Sequence, residues 1–152
     1  MVTPAASATS SPLIEAIFSA RVPRPPVGEL LNTEYVSYDL ALGEALLRFT
    51  AIDSFLNPAG VVHGGMLVAM LDELLAVTMT AAMREGEFNV TLDLGARFLK
   101  AARSGLIDGH GRVIKRGRTA GFVEGELRDA QGGTLVRGQA TMQIQAGFPR
   151  RA

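Results

Sequence analysis

The run from Gly64 to Met83, "GGMLVAMLDELLAVTMTAAM", limits the fold more than any other feature of the chain. It has helix-forming composition and is apolar on nearly every helical side, with Asp72 and Glu73 as its only charges. One sheet face cannot cover such a helix. Its remaining side is expected to meet a second copy of the chain, so the pattern predicts a homodimer. A carboxylate buried without a partner is costly, so this pair is expected to be paired, neutralised or used in chemistry.

The elements around the run set the fold class. Ser10 or Ser11 can cap a short helix with Pro12 in its first turn, and Leu13, Ile14, Ile17 and Phe18 then form one stripe. "RVPRPP" ends it, and "VGELLN" offers one more helical turn. Residues 33 to 51 read as two strands joined by a two-residue turn at Gly43 and Glu44. Past the long helix, which Gly86 would cap, four β segments follow: 89 to 100, 105 to 116, 118 to 129 and 133 to 145. "DAQGG" is a hairpin turn, and "DGHGR" is by local chemistry a turn inside what its neighbours want as one long strand. The sum is an α+β domain, a curved antiparallel β-sheet wrapped around one long central helix. Residues 1 to 22 are expected to be an N-terminal tail and short helix, and 23 to 148 the domain proper.

Bulk properties exclude several functions. The chain has 152 residues, with 15 basic and 15 acidic side chains, so no global field favours nucleic acid or an anionic membrane. Without cysteine there is no disulfide framework, thiolate nucleophile or cysteine metal site. Two histidines, His63 and His110, are too few for a histidine metal cluster, so no metal is expected. The start lacks a basic segment followed by an apolar one, which reads as a cytoplasmic address, and acids in mid-run argue against a membrane span.

The residues on their own leave the acids open. Asp72 has only Val68, Ala69, Leu75 and Ala76 at helical neighbour spacing, so it either finds solvent or a distant arginine, or does chemistry. Glu73 points about 100° away, so the two do not share one task. Gly64 and Gly65 fall where the helix begins; they serve either a tight turn or an exposed row of backbone N–H groups suited to developing negative charge. His63 likewise caps or reacts. Asp72 lies about 13 Å along the axis from His63 and half a turn off, so one reaction using both requires a two-fold axis and a composite site.

Asn57, then His63-Gly64-Gly65, then Asp72, on this helix and followed by "TLDLGARFLK", resembles the hotdog-fold acyl-CoA thioesterases of the phenylacetic-acid-degradation type, related to the 4-hydroxybenzoyl-CoA thioesterases. The resemblance covers roughly residues 23 to 146. It implies that Asp72 is nucleophile or general base and that the Gly64 N–H polarises the thioester carbonyl. It implies further that Asn57 and His63 orient the acyl group or the attacking water, and that Thr91 supplies a hydroxyl near that water. No role for Glu73 carries over, and it is left as structural. The substrate would be an acyl-CoA or aryl-CoA, coenzyme A being part of the substrate and no separate cofactor being needed. A homodimer, pairing further into a dimer of dimers, is the implied assembly.

"RVIKRGR" supplies Arg112, Lys115, Arg116 and Arg118, which could hold the CoA phosphates or simply solvate an edge strand; strand alternation lets at most about half of them share a face. Two rival functions remain. One is dehydration or hydration of an acyl thioester, for which the expected histidine loops are absent. The other is noncatalytic acyl-CoA sensing, for which residues 1 to 22 are too short to add a regulatory domain.

Overall fold

The computed structural model of the protein describes residues 11–147. The tail before Ser11, with Ser10 as a candidate cap, lies outside the described residues. In chain order the elements are α1 (Pro12–Phe18), α2 (Pro26–Leu30), β1 (Glu34–Asp39), β2 (Glu44–Ala51), α3 (Gly64–Thr80), β3 (Glu87–Phe98), β4 (Gly105–Arg116), β5 (Ala120–Asp129) and β6 (Thr134–Ala146). The strands form one antiparallel sheet of order β1-β2-β4-β5-β6-β3, curved around α3. This is the hotdog arrangement. β1 and β3 are its two edges.

A row of small residues lets α3 lie close to the sheet. Ala45, Gly111, Gly125, Gly138 and Ala96 stand opposite one another across five neighbouring strands. A Cβ on Gly111 would sit 2.1 Å from Thr78 Oγ1, one on Gly125 2.9 Å from Leu75 Cδ2, and one on Gly138 2.5 Å from Leu71 Cδ2. The helix therefore rests on backbone where the row passes beneath it. Leu71, Leu74, Leu75 and Met79, all fully buried, fill the space on either side with Phe49, Ile107, Leu127 and Met142.

Several expectations change in detail. "DGHGR" is uninterrupted strand inside β4, because Gly109 and Gly111 are the residues that face Leu74 and Thr78; the bulge falls later, between Val113 and Lys115. β1 and β2 are joined by the four residues between Asp39 and Glu44, where the two-residue turn was expected, because Asp39 Oδ1 accepts the N–H groups of Ala41 (2.8 Å) and Leu42 (3.0 Å). α3 stops at Thr80 and Gly86 does not cap it: Ala81, Ala82 and Met83 donate three residues back in a tightened last turn, and Gly86 (φ 76°) serves the Arg84–Glu87 turn. Ser11 makes no side-chain cap; its hydroxyl donates instead to the Thr80 carbonyl, tying α1 to the end of α3.

That tie matters for the dimer argument. Glu73, Ala76, Val77 and Thr80 lie on the helix face turned from the sheet, and α1 with the Val22–Pro25 segment covers them. Part of the apolar surface reserved for a second copy is thus covered by the chain's own N-terminal segment. Phe18 packs on Tyr35 and Tyr38 with ring centroids 5.6 and 4.9 Å away. The β3 edge stays open, with Val90, Leu92, Phe98 and, just past its end, Leu99 exposed.

Candidate active site

The helix start is built by the loop before it. Asn57 Oδ1 accepts the N–H groups of Ala59 (2.9 Å) and Val61 (3.3 Å), and Asn57 N–H donates to the Val61 carbonyl at 2.8 Å. This closes a tight loop around Gly60 (φ 72°) and delivers His63 to the helix end. His63 is the N-cap: its Nδ1 accepts the Gly65 N–H at 2.9 Å. A neutral ring so engaged carries its proton on Nε2, and the residue is exposed. Met66 and Leu67 donate to the His63 carbonyl. Gly64 N–H alone among these first amides has no partner among the described residues. Beside it runs a cleft of about 340 Å³ lined by Val62, Leu67, Phe98 and Lys100. The Phe98 ring lies so close that a Cβ on Gly64 would be 3.3 Å from its Cζ.

The two acids part company, as the helical angle requires. Asp72 turns to β3, where Thr91 Oγ1 donates to its Oδ1 at 2.7 Å. Thr91 Oγ1 also lies 3.3 Å from Met142 Sδ, but its single proton goes to the carboxylate. No cation pairs with Asp72 among the described residues, which leaves Oδ2 open. Glu73 turns to the opposite side and accepts the Tyr35 hydroxyl at 3.2 Å. Burial pushes the Glu73 carboxyl above the usual range; the Tyr35 bond lowers it and the charge of Asp72 raises it. Tyr35 is raised as well, first by burial and then by the Glu73 charge.

Asp72 and Gly64 stand about 12 Å apart along one continuous helix, so the chain does not bring them together by itself. It does bring Asp72 to Thr91 and Asn57 to the His63 loop. The basic cluster is divided. Arg112 is bound to Glu124 at 2.6 Å, and Arg116 grips both carboxylate oxygens of Glu87 on the opposite, helix-facing side. Lys115 and Arg118 are exposed and make no ion pair among the described residues. His110 pairs with Glu44 at 3.3 Å, far along β4 from the helix start. Tyr35 and Asn89, absent from the sequence-based site, meet α3 beside Glu73; nothing local in the sequence marks them, because their role depends on what the fold lays against them.

A central helix in a curled sheet defines a hotdog fold, and the helix-start amide and the hydroxyl-held carboxylate are its candidate site groups. The Thioesterase superfamily matches residues 59–136. The chain belongs to that family. Its fold is shared, at TM-score 0.82 and 36% identity over 86% of this chain and 98% of the other, by a protein of Ralstonia eutropha JMP134 described as a provisional thioesterase and phenylacetic acid degradation-related protein. The E. coli PaaI protein from the phenylacetic acid degradation operon has TM-score 0.80 at 20% identity, covering 92% of this chain and 99% of its own, which is a likeness of fold. A Vibrio cholerae relative, named provisionally as an esterase, is 27% identical over 81% of this chain and 79% of its own. No helix among the described residues is long and apolar enough to cross a membrane.

Proposed function

We propose that the protein hydrolyses an acyl-CoA or aryl-CoA thioester to the free acid and CoA, in a site shared between two copies. The observation that carries this is the pair of unused groups at the two stations of α3. One is the Gly64 N–H, at a helix N-terminus and without a partner among the described residues. The other is the open Oδ2 of an Asp72 held in place by Thr91. The thioester oxygen would accept the Gly64 N–H, which gains strength as the oxygen becomes anionic. Asp72 of the other copy would then attack the carbonyl or take a proton from water.

The β3 edge supports the assembly. It is long and exposes Val90, Leu92 and Phe98, no strand among the described residues lies beyond it, and Thr91 lies on it, so antiparallel pairing of two β3 strands would carry one Asp72 toward its partner's helix start. Pairing of such dimers into tetramers extends the same proposal. Asn57 Nδ2 and His63 Nε2, in the loop that leads into the helix start, have no partner among the described residues and would orient the acyl group or water. For the CoA phosphates the split cluster leaves Lys115 and Arg118 as the available cations; Arg112 and Arg116 would first have to leave Glu124 and Glu87.

The test is free-thiol release from aryl-CoA and medium- and long-chain acyl-CoA thioesters by wild type and Asp72→Asn. A fall of about 10²-fold or more in a still-folded protein is expected. Equal rates in both proteins would remove Asp72 from the chemistry. Tight binding without turnover in either would favour the sensor reading.

A further inference from the structure

The edge strand β3 carries two charges, Asp93 and Arg97, that are exposed and have no ion pair among the described residues. Both stand on the sheet face turned from α3. Asp93 is opposite Thr141 of β6 and Arg97 opposite Arg137, while the alternate residues Val136, Gly138 and Ala140 face the helix side. Arg137 is held by Glu126 at 3.0 Å. Arg97 therefore sits beside a like charge that has its own acid, and has none itself.

The shared site dictates where two β3 strands must cross. Asp72 is held at Thr91 and Gly64 lies against Phe98, so Thr91 of one protomer belongs opposite the partner's Phe98. Residues opposed across an antiparallel ladder face the same side, which an odd and an even residue of a regular strand cannot do. β3 is not regular. It bulges between Thr91 and Asp93, so these two meet consecutive residues of β6, Met142 and Thr141, and Thr91 and Phe98 both come to the helix side. Counting inward from that pair, Asp93 falls opposite the partner's Arg97 and Leu94 opposite the partner's Ala96. Gly95 falls opposite the partner's Gly95, on the two-fold axis. A crossing point fixed by the site alone thus sets the unpaired acid on the unpaired base, twice, on the other face of the sheet.

The backbone of the edge agrees. Leu99 N–H donates to the Leu135 carbonyl at 2.8 Å, so alternation turns the amides of Leu94 and Ala96 to the open edge, ready to bond each other across the axis. Asp93, Gly95 and Arg97 then hold the intervening positions, where opposed Cα atoms approach to about 4.5 Å. At Gly95 that centre is clear, since a Cβ there would meet nothing within 4 Å.

We propose that Asp93 and Arg97 are positioning residues: each Asp93 pairs with the partner's Arg97 about an axis at Gly95, and this pairing sets the register that brings Asp72 of one protomer to the helix start of the other. The choice of β3 as the joint rests on the shared-site reading above. Sliding one strand by four residues sets Asp93 on the partner's Asp93 in one direction and Arg97 on the partner's Arg97 in the other. The two charges therefore repel the wrong registers as well as favour the right one.

The test combines cross-linking with charge exchange. The chain has no cysteine, so Gly95→Cys supplies a single thiol, and mild oxidation should join two copies because the axis brings their Cα atoms within disulfide range. Val90→Cys, exposed on the same strand but far from the axis, should cross-link much more slowly. Asp93→Arg and Arg97→Asp should each weaken self-association in sedimentation velocity by about 10-fold or more at low salt, since each sets two like pairs across the axis. Mixed in equal amounts, these two variants present one basic and one acidic edge. They should form a heterodimer of near wild-type affinity and, at concentrations where each alone is monomeric, regain hydrolysis. A Gly95→Cys protein that sediments as a dimer yet cross-links no faster than Val90→Cys overturns the register. Single variants that associate like wild type, or that gain nothing on mixing, overturn the role of the charges, and a wild type that stays monomeric overturns the surface itself. If wild type hydrolyses no thioester, the function reading fails by itself, and cross-linking and heterodimer formation still decide this one.

Discussion

Gly64 is the first residue of α3 and its N–H has no partner among the described residues, which allows that one atom to be deleted with little effect on the fold. Gly64→Pro removes the donor at the one helical position where proline is welcome, because the first-turn amide is unpaired anyway and the fixed φ suits a helix start. The residue before a proline is pushed to extended backbone, and His63 already has φ −58° and ψ 135°. The steric cost is small: the new Cβ meets the exposed end of Phe98 at 3.3 Å, and that ring can give by a few tenths of an ångström. Stability should therefore fall by no more than about 1 kcal/mol. Losing an oxyanion donor should cost about 10²- to 10³-fold in kcat, about 3–4 kcal/mol in the transition state.

Gly64→Ala provides the control. It adds the same crowding against Phe98 and keeps the N–H, so the ratio of the two variants isolates the donor. The assay is single-turnover thioester hydrolysis under saturating substrate, with urea melts of all three proteins. A Gly64→Pro protein as active as Gly64→Ala would refute the role of this amide. One that fails to fold would refute the claim that Gly64 occupies an ordinary first helical position.

Three further outcomes test neighbouring steps. Thr91→Val should lower kcat about 10-fold or more by losing a hydrogen bond to a carboxylate, while Thr91→Ser restores most of it; equal effects would mean the methyl, and not the 2.7 Å bond, matters. Gly138→Ala should lower the urea midpoint by the equivalent of at least about 1–3 kcal/mol without changing the slope, because its Cβ would lie 2.6 Å from the Gly95 carbonyl as well as against Leu71; an unchanged midpoint would show that α3 and β3 yield easily. The Glu73 carboxyl is raised on folding, so its favourable contribution is complete below the ordinary glutamate value of about 4.3 and is lost as pH rises through the folded value. Glu73→Gln should accordingly gain stability relative to wild type in thermal melts between pH 4 and pH 7.5, and a constant difference across that range would exclude this account.

The parts of the fold legible in the sequence are those fixed by local pattern. The alternation of Val136, Ala140, Met142 and Ile144 with polar neighbours marks β6, and the structure buries those four side chains. The helix start was legible too, since a histidine and two glycines before an apolar run have few other uses. Asp39 illustrates the opposite case. Its side chain captures two backbone amides and so sets the loop length between β1 and β2, a choice that strand composition does not reveal.

The division of labour between Asp72 and Glu73 was only half legible, for a reason that lies in the sheet. Helical spacing alone says the two carboxylates diverge by about 100°. Which of them meets the edge strand depends on how α3 is turned, and that is set by the glycine row. With Leu71, Leu75 and Thr78 seated on Gly138, Gly125 and Gly111, the sheet-facing side of the helix is fixed to within one residue. Asp72, the next residue after Leu71, must then point sideways to β3, and Glu73 must point away from the sheet toward Tyr35. Gly111, Gly125 and Gly138 are spread over 28 positions of sequence and become a row only when three strands pair in register, so no window of the chain contains the signal. A side chain added anywhere in that row would shift or turn α3. It would disturb the Asp72–Thr91 pair and the Glu73–Tyr35 pair together, although none of the row touches either acid.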